Sequence, residues 1–278
     1  MPTLPEHAKT EDLEPLLASL QSVWQSGLPD AIRIDGRRLT SIDPTGAVAL
    51  AIALDHLAEQ GARTDVIWPP PTAETLGPFA QYDATLRRDM GTASSAAVFP
   101  VARVTPAQSL DLIENGFSPW LAARLGLSNA ALEPVRTFIK ELFRNIEDHA
   151  GVAVGYLAVR HSPELKRVEI AIGDHGVGIP YQVRRKEPVS SDGAALARAF
   201  DEGFTTKSKP GNAGAGLDWL RRVVIEKNRG ALTVFSGHGR LHVTAADEFS
   251  THAITERQAG FPGVLYSISL RTDTIEPV

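Results

Sequence analysis

The chain contains no cysteine, so disulfide staples, thiolate zinc sites and cysteine nucleophiles are excluded, and a reducing compartment is compatible with that absence. It also lacks an excess of positive charge. Lys and Arg number 28 against 33 Asp and Glu, for a net charge of -5. Binding to a nucleic-acid backbone draws its affinity from clustered Lys and Arg, so nucleic acid is not expected as the main partner. No uncharged apolar run approaches the roughly 20 residues needed to span a bilayer; the longest lies around Thr45 to Leu54. The opening MPTLPEHAKTEDLEP is polar and acidic, without the basic and apolar regions of a signal peptide. The expectation is a soluble, cytoplasmic protein with no membrane partner.

What is present is an ordinary globular composition spread over 278 residues, long enough for two domains with a core each. In the first hundred residues, Leu13 to Trp24 reads as a helix and Ala31 to Ile34 as a strand. Gly46 to Leu57 reads as an Ala/Leu-rich helix, and Thr64 to Trp68 as a strand halted by three prolines. These lengths suggest a small α/β unit with a βαβ step. Between Gly91 and Pro119 the periodicity weakens, which places a seam there and divides the chain at 1–105 and 106–278. Beyond it, a long helix is expected from Asn129 to Ala150, with strands at Val152 to Val159 and Val168 to Ile172. A short helix follows near Ala194 to Phe200, then a helix from Leu217 to Lys227, and strands at Leu232 to Phe235, Leu241 to Thr244 and Val264 to Leu270. That order describes an α+β two-layer sandwich, one sheet with helices on one face.

Three local patterns carry chemistry. On the long helix Glu141, Asn145 and His149 are four apart, so they lie along one line at the flank of the apolar stripe, with Asp148 one turn from Asn145. An Asn amide oxygen suits Mg²⁺, and Glu141 is placed to orient or deprotonate a nucleophile. Next, a strand runs straight into Asp174-His175-Gly176-Val177-Gly178-Ile179. This sets a carboxylate at a strand end, able to accept an exocyclic amine such as adenine N6, before two glycines that let backbone approach a ring. Third, Gly211-Asn212-Ala213-Gly214-Ala215-Gly216-Leu217 opens a helix whose free N–H groups favour a phosphate, with Thr205, Thr206 and Lys207 just upstream offering hydroxyls and an ammonium. Taken singly, each pattern also fits a boundary position, a turn or a flexible loop.

In this order and setting they resemble the N, G1 and G2 boxes of the GHKL superfamily, the Bergerat-fold or HATPase_c-like ATPases and kinases, over residues 125 to 272. The resemblance implies ATP and Mg²⁺ as cofactors, with Asn145 coordinating the metal and Asp174 holding adenine. It also makes 179–213 a mobile lid over the phosphates. The family often carries Gly-Thr before its last strand; here Gly263 is followed by Val264, with Ser267 as a substitute hydroxyl. Nothing upstream resembles a dimerisation helix pair with a phospho-accepting His, which disfavours a sensor histidine kinase.

The amino-terminal half, through Leu39 to Leu50 and the helix and strand that follow, resembles a STAS domain. Thr45 of Asp43-Pro44-Thr45-Gly46 then falls at the phosphoacceptor position; Asp43 as cap with Pro44 in the first turn is the plain structural alternative. The Glu141-x-x-x-Asn145-x-x-x-His149 form is closest to anti-sigma serine kinases. The leading expectation is an ATP-binding regulatory protein that joins a serine/threonine kinase or ATPase module to a module binding another regulatory protein. Two alternatives stand beside it. Glu141, Asn145 and Asp148 also fit a GHL-type ATPase, which would bring a homodimer closed by ATP, and a nucleotide-sensing module could bind ATP or ADP with negligible turnover.

Overall fold

A helix that is apolar around its whole circumference can be satisfied only inside the protein, and the stretch PTGAVALAIALDHLAE is such a helix. The computed structural model describes residues 1–24, 30–68, 97–152, 154–201, 204, 215–245 and 250–275, with backbone alone at 149, 215, 216 and 250–252. The amino-terminal elements are β1 (His7–Ala8), α1 (Glu14–Leu20), β2 (Ala31–Asp35), β3 (Ser41–Ile42), α2 (Pro44–Glu59) and β4 (Arg63–Ile67). Strands β2 and β4 pair in parallel across α2 from Ala31↔Arg63 to Asp35↔Ile67, the expected βαβ step. β1 and β3 form a separate parallel pair. Among the described residues this half therefore holds two two-stranded sheets, not one continuous sheet.

The carboxy-terminal elements are β5 (Val98–Val104), α3 (Pro106–Asp111), α4 (Ser118–Leu125), α5 (Glu133–Asn145), β6 (Gly155–Ser162), β7 (Arg167–Asp174), α6 (Gly178–Arg184), α7 (Asp192–Ala199), α8 (Ala215–Arg221), β8 (Ala231–Ala245) and β9 (Ser250–Arg271). Wider helical turns join α3 to α4 and extend α5 through Ile146–Ala150 and α8 through Arg222–Lys227. Strands β5 to β9 form one antiparallel sheet in the order β5-β6-β7-β9-β8. The expected seam at residue 105 needs correcting, because β5 lies before it yet pairs with β6 in this sheet. The helices from 106 to 125 were not foreseen either. Pro106 stands in the first turn of α3, where the missing N–H costs no helical hydrogen bond, and Pro119 follows directly on the wide turns of Leu112–Phe117 at the start of α4.

The two-layer picture is also incomplete, since both faces of the sheet are covered. Along β6, Leu157 and Val159 point into a core shared with Phe138, Ile139 and Leu142 of α5, while Tyr156 and Ala158 point into a second core with Leu50 and Ile52 of α2. On β7, Ile170 and Ile172 face α5, and Ala171 faces α2. Strands buried on both sides read as continuous apolar runs, as YLAV and IAI do. Small residues on the α2 side let the helix come close: a Cβ on Gly173 would stand 3.2 Å from Ile52 Cδ1, and one on Gly46 would stand 2.3 Å from the Ala8 carbonyl oxygen.

The region expected as a lid is partly built into this frame. Residues 205–214 lie outside the described residues, but α6 and α7 bury Val183, Ala195, Leu196 and Phe200. The start of α7 is fixed to the β8–β9 hairpin. The His238 amide donates to Asp192 (2.7 Å) and the Gly193 amide to Glu256 (2.5 Å). Arg184 of α6 pairs with Asp192 at 2.7 Å.

One polar group on α2 fastens it to the sheet. Asp55 is 1% exposed; the Tyr156 hydroxyl donates to it at 2.6 Å, and Arg103 Nε lies 2.7 Å away. Replacing Asp55 strands both partners, whereas replacing Tyr156 by Phe removes one hydrogen bond. In urea unfolding, Asp55→Ala should therefore cost about 3 kcal/mol and Tyr156→Phe about 1 kcal/mol. A D55A chain as stable as Y156F would show that this network does not hold α2 in place.

Candidate nucleotide site

The site begins where β7 ends. Its last residue, Asp174, is 2% exposed, so its carboxylate is shut into the protein at the end of the central strand. The Gly176 amide donates to Asp174 Oδ1 at 2.8 Å, which turns the chain sharply after the strand. Two glycines are required by geometry. A Cβ on Gly176 would lie 2.1 Å from the Ala150 carbonyl oxygen, and Gly178 has φ +77°. The contact with Ala150, reinforced by a Val177 amide bond to the same carbonyl at 2.9 Å, ties the glycine loop to the end of the helix that carries Asn145. The structure thus brings together two of the three expected patterns. Ile179 follows as the second residue of α6, its amide bonded to Ser236 Oγ at 3.0 Å.

On α5, Glu141 and Asn145 are half-buried. Glu141 Oε2 is 3.6 Å from Arg144. Asn145 has no side-chain hydrogen-bond partner among the described residues, which leaves its amide oxygen available to a ligand. Asp148 is exposed on the following turn, and at His149 only the backbone is described. Among the described residues no group of three or more His, Asp or Glu side chains is arranged to hold a metal ion.

The third pattern is described in part. Thr205, Thr206, Lys207 and Gly214 lie outside the described residues, and Ala215 and Gly216 appear as backbone at the start of α8. Leu217 packs against the core between helices and sheet, and α8 lies against α5. Asp218, in its first turn, is buried and paired with Arg221 (3.0 Å) and Arg222 (2.8 Å).

Three sequence expectations change. Thr45 is 2% exposed, covered by Thr10, whose hydroxyl lies 2.8 Å from Thr45 Oγ1; no kinase reaches it in this fold. Asp43 accepts the Gly46 amide at 2.8 Å and Pro44 occupies the first turn, so this motif is a helix cap. Ser267 pairs with Ala171, away from Asp174, and meets Thr10 at 2.9 Å on the α2 side, so it cannot replace the missing Thr. The hydroxyl near the site is instead Ser236, which donates to the Gly263 carbonyl at 2.6 Å beside Asp174. Its signal in the sequence was a lone hydroxyl between an apolar strand and Gly237. A cleft of about 480 Å³ also opens beside the loop, between Val177, Tyr181, Arg184 and Phe261. Gly176 of the loop and Gly263 also line it, whereas Asn145 and Asp174 do not.

Burial pushes the Asp174 carboxyl up to about 7, against the opposing effect of hydrogen bonds from the Gly176 and Val264 amides. Burial, and next the nearby Asp174 charge, also push the Tyr266 hydroxyl upward. An acid whose pKa is raised in the folded state binds its proton more tightly there than in the unfolded chain. Its contribution to stability therefore falls as pH climbs from about 4 to about 7. Relative to wild type, Asp174→Asn should gain stability between pH 5 and pH 7 and level off above that in denaturant titrations without ligand. A wild-type-to-variant difference that is flat across that range would mean Asp174 is solvated.

Residues 131–259 match the family described as histidine kinase-, DNA gyrase B-, and HSP90-like ATPase. No curated protein matches the chain. The matched segment contains the Asn145 helix, the Asp174 loop and the start of α8, and it supports the GHKL superfamily, with an ATP-binding kinase or ATPase module, for this part of the chain.

Proposed function

We propose that this chain is an ATP-binding regulatory protein whose GHKL module transfers the terminal phosphate of ATP to a serine or threonine of another regulatory protein. The observation that carries the ATP site is the clamp of Gly176 against Ala150. It holds the buried Asp174 carboxylate and the Asn145 helix as one unit. In this reading Asp174 accepts the adenine N6 amine, Asn145 gives its oxygen to Mg²⁺, and the backbone at Ala215 and Gly216 faces the phosphates at a helix start. Magnesium, when bound, neutralises phosphate charge. Glu141, one turn before Asn145, takes the proton from the attacking hydroxyl. Thr45 is no longer the acceptor in this scheme, so the acceptor belongs to a partner. The amino-terminal half then serves as the packed, partner-facing part of the molecule.

The reading makes separable demands. Asp174→Asn should weaken ATP about tenfold to a hundredfold in calorimetry, because a donor would replace the acceptor that faces N6. Asn145→Ala should weaken MgATP far more than adenosine, which bridges no metal, and equal losses would make Asn145 structural. Glu141→Ala should spare binding and remove turnover. Incubation with γ-labelled ATP and candidate partner proteins separates the reactions. Label on protein supports the kinase, free phosphate alone replaces it with an ATPase, and neither leaves a binding module.

A further inference from the structure

The residue between Asp174 and Gly176 is a histidine, and its side chain leaves the glycine loop for the opposite side of the sheet. His175 is 13% exposed, and its Nε2 lies 3.3 Å from Oε2 of Glu59, the last residue of α2. Its ring meets that of His56, one turn earlier on α2, edge to face at 5.8 Å. Both partners are themselves held. Arg103 of β5 donates to Glu59 Oε1 at 3.2 Å, and the Trp24 ring stands 5.4 Å from His56. On the other side of Asp174, Gly173 accommodates Ile52 of the same helix. Helix α2 thus touches the residue before Asp174 and the residue after it, while Ala150 grips Gly176 and Val177 from the far side.

We infer that α2 is a positioning element for the nucleotide loop, and that His175 is the positioning residue through which the amino-terminal half sets the affinity for adenine nucleotide. This rests on the ATP reading of the pocket. The direction of the Asp174 carboxylate is fixed by the backbone from 173 to 176. That backbone is held on both sides, so a ligand meets a loop that is already ordered, and ordering costs are not subtracted from its affinity. Releasing His175 leaves the residues after Asp174 held from the Ala150 side alone, while Gly173 stays against Ile52. The linkage is reciprocal, so nucleotide tightens the α2 contact by the same factor by which the contact tightens nucleotide. Any event that moves the last turn of α2 then reaches the pocket without touching it.

The test measures ATP affinity by calorimetry on the full chain for wild type, His175→Ala, Glu59→Ala and Glu59→Gln, with Trp24 emission recorded alongside. His175→Ala and Glu59→Ala should bind about tenfold more weakly, while Glu59→Gln, which keeps an oxygen for the His175 N–H, should stay within about twofold of wild type. Nucleotide should change the emission of wild type but not of His175→Ala, and a Trp24→Phe chain should lose the change. If His175→Ala fails to fold, the Glu59 pair decides alone, because that side chain is partly exposed. Wild-type affinity in both alanine variants, with ATP bound by wild type, overturns the positioning role and leaves the pocket standing. A wild-type chain that binds no adenine nucleotide overturns the pocket reading, and this one with it.

Discussion

The constraint on which the rest of the structure depends is the burial of α2 against the far face of the antiparallel sheet. That helix presents apolar or small residues in every direction, and 13 of its positions, from Pro44 to Leu57, are buried. Each fully buried aliphatic side chain contributes about 1.5–3 kcal/mol relative to exposure, so leaving this helix in water is not an option. The sheet answers it in kind, with Ala158, Ala171 and Gly173 beneath the helix and larger residues on the face toward α5. The core on the α2 face is shared between the two halves of the chain, while the core on the α5 face is built from residues after 98 alone. The amino-terminal elements thus cover one face of the five-stranded sheet.

The same close approach shapes the site. Gly173, Gly176 and Gly263 crowd around Asp174 because backbone or side chains stand where their Cβ atoms would be. Crowding removes water, and a carboxylate without water is one whose proton is held more tightly. Strongly shifted acids gather at binding sites for this reason. The cost of keeping Asp174 dry falls on the stability of the ligand-free protein, and an amine donor placed against it offsets that cost.

Much of this was legible from residue order. The 3.6-residue repeat of Val135, Phe138, Ile139 and Leu142 announced α5, and the run from Val168 to Ile172 ending in Asp-x-Gly-x-Gly announced β7 and its loop. What was misread has physical causes. The helices between 106 and 125 were missed because the periodicity there is weak and the wide turns of Leu112–Phe117 break the 3.6-residue repeat. The segment after Ile179 read as loose, because the partners of Leu196 and Phe200 lie on elements distant in the chain. The strands near 232 and 241 read as separate, because Gly237 and Gly239 look like a turn; they sit in register shifts of one long strand, where Asp192 and Gly193 dock.

The sequence by itself determined the apolar circumference of α2, the Asn145 helix, the strand-end carboxylate and the glycines after it, because these follow from local periodicity and from residue chemistry at fixed spacing. Only the tertiary structure decided what α2 covers, and therefore that Thr45 is sealed, that Ser267 faces away from Asp174, and that His175 reaches Glu59 and His56. Those facts depend on which faces meet across 35 to 257 residues of chain, and a pattern confined to neighbouring residues carries no record of its distant partner.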